Sequence, residues 1–542
     1  MQLDFNPANG AFILRIPRGA ELDPHTVQTE FGLDFSTTAS TPDTAVLFTR
    51  EPYAAVPFYE YATPEAQQEL IGLQERVNQS WAPVSEAHIK CPAGEELWPF
   101  QKAGVEYALQ RQNTLIGDVP GLGKTAQAIC FANEISAKRV LVICPASIRL
   151  QWAKAIKRWT TMSWPYTIYP ILAGRHGAHP TAAWTIVSYD LARTPGIGAA
   201  LAQTTYDLLI LDEAHYCKTI DAGRTRAIFG GGLTRAFTAL HERCGAILAL
   251  TGTPLPNRPR EAYTLARGLC WDAIDFMSEE SFSKRFNPSI RMTSPSGKVY
   301  IDERTGRHAE LQARLRTNFM VRREKHGPNG VMQQLKLPVF DIIQMDTTGP
   351  VKQALKAESM LDIDPEDLSG LDGSVLGQIA TVRRMMGVAL APQVAEYVEM
   401  LLDGGEEKIL LYAYHKEVMS SLEAALRKHG VLRVDGSTSP QGKQDAIDEF
   451  GTDPRKKILL GQLLAMGTGT DGLQHVCSRV VFGEADWTPG NNQQGVDRLD
   501  RGGQQRTVLA DFCVAPGSFS EKVLGTALRK NQTTHKALDR RV

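Results

Sequence analysis

The 542-residue sequence lacks any apolar run near the roughly 18–20 residues of a membrane span. Its longest apolar runs, such as LLIL and VLVIC, have the length of buried strands. Its eight cysteines are scattered, with no CxxC pair and no Cys/His ligand spacing. That argues against a zinc site or a disulfide framework and reads as reduced, mostly buried thiols of a cytosolic protein. The opening MQLDFNPANG has neither a basic region nor an apolar one, so no secretory signal is visible. Internal repeats and low-complexity tracts are also missing. Net charge is nearly absent too, at −1, but that value hides an asymmetry. Residues 1–100 hold five basic against fourteen acidic side chains, a balance of −9, and the remainder balances at +8. Positive surface for a polyanion must therefore come after residue 100.

What is present falls into two textures. Residues 1–90 contain the short apolar pieces AFILRIP, TAVLFTR and AAVPFYEY, punctuated by Gly, Pro, Thr and Ser, followed by PEAQQELIGLQERVNQ. This predicts a small acidic β-rich module and one helix. From about residue 91, strand-like runs alternate with helical stretches: TLIG, KRVLVICP, WTIVSYD, YDLLILDEAH, GAILALTGTP. Buried strands separated by helices predict an α/β fold with a parallel, doubly wound sheet. After an irregular stretch with an expected hairpin in TSPSGKVYIDERTGR and an exposed acidic loop in DIDPEDLSGLDGS, a second series follows: KILLYAY, VLRVDG, KKILLGQ, SRVVFGE, TVLADFCV. The expected domains are 1–90, a first lobe with connector at 91–340, a second lobe at 341–515, and a basic helix or tail at 516–542.

Four motifs carry chemistry. In GDVPGLGKT a strand ends near Gly117, a loop spans Asp118 to Gly123, and a helix starts near Lys124. Its glycines let backbone N–H groups point inward beside a helix N-terminus, Lys124 would hold phosphates, and the Thr125 hydroxyl would ligate magnesium. Taken alone, a glycine turn opening a helix also accounts for the stretch. In LLILDEAH an apolar strand delivers Asp212, suited to magnesium, and Glu213, suited to activating water, with His215 placed to couple the site outward. In ALTGTPLPN, the hydroxyls after the strand, Thr251 first, would sense the γ-phosphate, although an ordinary strand-end turn reads the same way. In NNQQGVDRLDRGGQ, Arg498 and Arg501 lie three apart, on one face if the segment is helical. They would stabilise charge on a transferring phosphoryl group, the alternative being a solvated pair.

These motifs, in this order, resemble a superfamily-two helicase motor of the Swi/Snf type. The aspartate at 118, where the general phosphate-loop pattern has glycine, fits that family's DE-M-GLGKT. Further resemblances are LWPFQKAGVEYAL, ICPASIRLQW, IVSYDLAR, the connector NFMVRREKHGPNGVMQQLKLP, and the second-lobe AMGTGTDGLQHVCSRVVFGEADWTPGNNQQGVDRLDRGGQ. GQIATVRRMMGVALAPQVAEYV resembles the compact HepA-related, annealing-helicase branch. The chain has no room for the extra domains of large chromatin motors, so a bacterial or phage member is expected. The sequence departs from the family at Val119 and Pro120, at Asp500 and Gly502 in the HRIGQ signature, and at Trp487–Pro489, where WTP replaces WNP.

The resemblance implies two RecA-like lobes and ATP with Mg2+ as cofactors. It gives Gln101 the adenine, and Asp118, Gly121, Leu122, Gly123, Lys124, Thr125 and Gly469 the rest of the nucleotide. Thr125 and Asp212 would hold magnesium, and Glu213, Asp212, Lys124, Arg498 and Arg501 would carry catalysis. DNA would be met by Trp152, Ser188, Tyr189 and Trp487, and His215, Thr251 and Gln494 would couple the two events. The implied activity is that of a DNA-dependent ATPase translocating on or remodelling duplex or forked DNA without sequence preference, extending to fork remodelling or strand annealing. Alternatives are a strand-separating helicase, a motor subunit of a defence or restriction complex, and a nucleic-acid scaffold whose ATPase has decayed. The acidic module is a candidate protein-docking site, a monomer is the default, and the cytoplasm, on the nucleoid, is the expected location.

Overall fold

A computed structural model describes residues 1–524 except 112, 164, 175–176, 178, 180, 231–237, 253–258, 294–298, 304–305, 327–329, 362–372, 467–471, 487–488 and 523. The chain divides into two compact units, residues 1–119 with 123–324, and residues 120–122 with 325–532.

The first unit opens with an antiparallel sheet of β1 (Gln2–Asn6), β2 (Ala11–Pro17), β3 (Asp34–Phe35) and β4 (Thr44–Thr49), in the order β1-β2-β4-β3. AFILRIP and TAVLFTR are its two long strands. AAVPFYEY is not a strand. Pro52 starts the helix Pro52–Ala55 and Pro57 sits in the first turn of the 3-10 helix Val56–Tyr61, where a fixed φ and a missing N–H suit a helix start better than a ladder. The expected helix runs Pro64–Trp81. The module does not enclose its own core. Its buried residues, among them Leu14, Phe31, Leu47 and Phe58, pack with Ala309 and Ala313 of the later helix His308–Asn318. An ionic cluster reinforces that seam. Buried Glu310 takes Arg314 and Arg285 at 2.8 Å each and Arg307 at 3.4 Å, and Arg314 reaches Glu51 of the module at 2.6 Å.

The remainder of this unit is built on β5 (Asn113–Ile116), β6 (Val140–Cys144), β7 (Ile168–Pro170), β8 (Trp184–Ser188), β9 (Tyr206–Asp212) and β10 (Cys244–Leu250). A hairpin of β11 (Ser289–Thr293) and β12 (Val299–Glu303) stands where TSPSGKVYIDERTGR predicts one. With β13 (Met320–Val321) the described residues form a parallel sheet in the order β13-β5-β10-β9-β6-β8-β7. β6 is buried at every position, as a central strand covered on both faces requires.

The second unit holds β14 (Val339–Gln344), β15 (Ile409–Ala413), β16 (Val431–Val434), β17 (Ile458–Gln462), β18 (Arg479–Phe482) and β19 (Leu509–Val514), parallel in the order β14-β19-β18-β15-β17-β16. The boundary expected after residue 340 would cut β14, whose ladder to β19 gives it to this sheet; the unit begins at Lys325. GQIATVRRMMGVALAPQVAEYV lies in one helix, Gly373–Asp403. The acidic loop and most of the basic tail lie outside the described residues. No described helix is long and apolar enough to cross a membrane.

Candidate nucleotide site

The phosphate loop leaves the C-terminal end of β5, beside β10 and one strand from β9. Ligands of open α/β sheets bind at that edge. Gly121 and Gly123 have φ of 88° and 70°, the left-handed region that favours glycine. Gly123 has a second constraint, because a Cβ there would lie 2.3 Å from Gln101 Nε2. Gln101, expected on adenine, is thus packed against the end of the loop, and its Oε1 accepts from the Trp98 N–H at 2.9 Å. The helix Lys124–Glu134 starts at Lys124, with half-buried Thr125 in its first turn. Lys124 Nζ donates to the Asp118 carbonyl at 2.7 Å. Leu122 is fully buried.

Asp118, expected among the nucleotide-binding residues, does something else. Its carboxylate is fully buried and used by protein donors. Arg323 approaches it twice, Nη2 to Oδ2 at 2.5 Å and Nε to Oδ1 at 2.9 Å, and the Arg323 backbone N–H adds a bond of 2.9 Å. Gln127 Nε2 adds another at 3.0 Å. A fork-on-carboxylate pair of this kind fixes orientation as well as distance. The aspartate therefore clamps the loop to the chain segment after β13, and glycine there could not. The neighbouring Arg322 donates to the carbonyls of Gly117 at 2.6 Å and Gly252 at 3.0 Å, at the ends of two adjacent strands. Neither arginine is singled out by sequence reasoning. The available signal was RREK, two arginines in what otherwise reads as a connector.

At the end of β9, Asp212 is buried and Glu213 adopts φ 54°, ψ 52°. A left-handed non-glycine residue costs on the order of 1–3 kcal/mol and persists where its surroundings over-determine it. Burial, and then the charge of Glu213, push the Asp212 carboxyl up to about 6, against the pull of the Trp152 indole and the Lys124 ammonium. Trp152 Nε1 donates to Asp212 Oδ2 at 2.7 Å, and the Tyr189 hydroxyl donates to the Asp212 carbonyl at 2.9 Å. His215 Nδ1 lies 3.2 Å from Glu213 Oε2 and 3.0 Å from Thr251 Oγ1, so the expected coupling pair is in direct contact.

Three residues expected at DNA are buried. Trp152, Ser188 and Tyr189 are 2, 4 and 3 % exposed. Trp152 and Tyr189 position Asp212, and Ser188 Oγ caps the helix Tyr189–Ala192 by accepting from the Leu191 N–H. Their place beside the acidic pair, rather than on a surface, was not readable from spacing. Gly469 and Trp487 lie outside the described residues, as does most of TGTPLPN.

In the second unit, Arg498 and Arg501 follow the helix Pro489–Val496 and sit in turns, so they do not share a helical face. They share a neighbour instead, the buried phenol of Tyr412. Gln494 is half-buried on that helix, and Arg501 Nε donates to the Asp497 carbonyl at 3.1 Å. Asp500 does not act on Arg501 through its carboxylate. Buried Lys325 takes Asp497 Oδ1 at 2.5 Å and Asp500 Oδ2 at 2.8 Å, and His326 Nε2 reaches Asp500 at 3.0 Å.

Residues 100–362 match the SNF2-related domain. Over 456 residues the chain is 27 % identical to DNA annealing helicase and endonuclease ZRANB3 of Bos taurus, an alignment covering 82 % of this chain and 41 % of the relative. Over 463 residues it is 28 % identical to the SWI/SNF-related matrix-associated actin-dependent regulator of chromatin subfamily A-like protein 1 of Xenopus tropicalis, covering 82 % and 46 %. The chain thus spans less than half the length of these relatives. A solved structure, the Sulfolobus solfataricus SWI2/SNF2 ATPase core in complex with dsDNA, matches at 18 % identity and a TM-score of 0.39, over 85 % of this chain and all of that one. The match starts at Phe100, beside Gln101, and runs through the phosphate loop, DEAH, Arg322 and Arg323, so the clamp and the acidic pair both lie within the matched residues.

The residues present fit ATP and magnesium. Two adjacent carboxylates at a strand end, one with its carboxyl raised by burial and repulsion, gain from a hard cation. No group of three or more metal-ligating side chains occurs among the described residues. Magnesium takes one or two carboxylates and fills its shell with water and phosphate oxygens, a demand that the Asp212–Glu213 pair can meet.

Proposed function

We propose that the chain is a DNA-dependent ATPase that translocates on or remodels duplex or forked DNA. One observation carries the reading: a single sheet edge brings together the phosphate loop, the Asp212–Glu213 pair and the His215–Thr251 contact. Lys124 would hold phosphate oxygens, Thr125 and Asp212 the magnesium, and Trp152 would keep Asp212 oriented and ionised. Glu213, held in its left-handed conformation, is the base for the attacking water, and His215 reports its state to Thr251. Bound magnesium would neutralise charge on the phosphates. Arg498 and Arg501 would stabilise the phosphoryl group in transfer.

DNA would be gripped through its phosphates, so affinity should fall steeply with salt and vary little with sequence. The annealing activity named for the first relative supports fork remodelling or strand annealing as this chain's work. A compact motor of bacterial or phage type, monomeric and acting on the nucleoid in the cytoplasm, completes the proposal. Asp500, which with Val119 motivates the decayed-ATPase alternative, has its own structural role with Lys325 and His326, which favours the active reading.

Phosphate release tests this, with no nucleic acid, single-stranded, duplex and forked DNA, and RNA, and Glu213→Gln as control. Stimulation by duplex or fork, lost in the variant, is expected. Turnover no higher than the variant under every condition refutes an active motor, and strand displacement from a blunt duplex would select the strand-separating alternative.

A further inference from the structure

A cavity of about 310 Å3 lies within the first unit, between the N-terminal module, the helix Pro64–Trp81 and the helix His308–Asn318. It is separate from the nucleotide edge, and none of the expected site residues lines it. Phe31, Val56, Val77 and Trp81 give it apolar walls. Its floor holds Arg316, whose guanidinium stacks 3.3 Å from the Trp81 ring centroid and donates to Ser80 Oγ at 3.0 Å. The cavity also presents an unmet polar demand. Gln312 is 8 % exposed, and its Nε2 has no hydrogen-bond partner. A buried donor without an acceptor is costly, and native interiors rarely keep one without a use.

Size and charge limit what can answer that demand. The volume sits at the low end of small-ligand pockets, about 300–1,000 Å3, and suits one large side chain with its backbone carbonyl. The surroundings are acidic. Glu60 lines the cavity, Glu65, Glu69 and Glu75 are exposed on or beside the adjoining turns, and residues 1–100 balance at −9. Against these stand Arg316 in the floor and exposed Arg76, whose Nε is bonded to the Gly72 carbonyl. Such a field repels phosphate and attracts lysine and arginine.

We propose that this cavity docks a segment of a partner protein that presents one large apolar side chain flanked by basic residues. The side chain enters against Trp81 and Phe31, its backbone carbonyl accepts from Gln312, and the flanking cations meet Glu60 and the acidic helix. Docking there is two side chains from the phosphate loop. Arg316 Nη1 donates to the Arg322 carbonyl at 2.8 Å, and Arg322 holds the Gly117 carbonyl.

The test needs no nucleotide, so its outcome is independent of ATP turnover. A random heptapeptide phage library is panned on the full chain and counter-selected on Ala313→Trp, which fills the cavity. Gln312→Leu serves as a second counter-selection, since it keeps the shape, removes the donor and relieves a buried unsatisfied group. Enriched peptides should combine Trp, Phe or Leu with Lys or Arg. A fluorescein-labelled consensus peptide should bind at least tenfold more weakly to either variant. No enrichment over the variants, an acidic consensus, or binding indifferent to both substitutions overturns the proposal. So does an oligothymidine probe that binds the chain and is lost on Gln312→Leu, which would assign the cavity to a nucleobase.

Discussion

Replacing either half of the Asp118–Arg323 pair should damage the first unit more than any other single polar change near the site. Both side chains are at most 1 % exposed, and four protein donors converge on one carboxylate. Removing one partner of a buried pair leaves the other charge uncompensated, at a cost of roughly 3–5 kcal/mol. Asp118→Asn and Arg323→Met should therefore each lower the first calorimetric transition by about 6 °C or more, at roughly 2 °C per kcal/mol for a unit of this size. The double variant Asp118→Leu/Arg323→Met has no charge to strand and should recover most of that loss. It should still bind a fluorescent ATP analogue more weakly, because nothing then holds the loop to the segment after β13. Single variants shifting the transition by less than 2 °C would refute the clamp. So would a double variant with unchanged nucleotide affinity.

Three further outcomes are expected. Trp152→Phe removes a bond to a charged acceptor, worth about 1.5–3 kcal/mol, so kcat/KM for ATP should fall at least tenfold with DNA affinity unchanged; the opposite split would return Trp152 to DNA. Asp500→His, which restores the family's usual residue, should lower stability by about 1–3 kcal/mol, because Lys325 loses one of its two carboxylates; a rise in transition temperature would contradict that. Asp212 carries a carboxyl raised from 3.8 to about 6, so the folded state binds more protons than the unfolded state across that window. Its contribution is fully present below about pH 4 and lost as pH rises through about 6. In chelator, the unfolding free energy of the wild type relative to Asp212→Asn should therefore improve on going from pH 7.5 to 5, by an amount on the order of 1–3 kcal/mol, and a gap that does not move argues against the shift.

The strands of both sheets and their parallel class were legible because buried central strands must be apolar along their whole length, as VLVIC and LLILD are. Short or edge strands were not: β7 and β13 have only three and two residues, and β14, though six residues long and largely apolar as VFDIIQ, is mostly exposed and lies in what otherwise reads as connector. The phosphate loop and the acidic pair were legible because their chemistry dictates spacing within a few residues. The clamp was not, since Asp118 and Arg323 are 205 residues apart and only tertiary structure pairs them. The bonds of Trp152 and Tyr189 to Asp212 were hidden in the same way. Their motifs are local, but which face of a chain segment turns inward depends on what packs over it. The role of Asp500 was hidden too, because its partner, Lys325, lies 175 residues away.

The clamp and the lysine pair also determine how much slack the chain has where it leaves the first unit. Arg323 is anchored to Asp118, Lys325 is anchored to Asp497 and Asp500, and one residue, Glu324, lies between the two anchors. Flexible tethers of ten or twenty residues dissipate tension as chain entropy; a single link has almost none to give up. Any strain reaching Lys325 is delivered through a few backbone torsions to the arginine that pins the phosphate loop. Only the torsions around Glu324 separate the two anchors at this crossing.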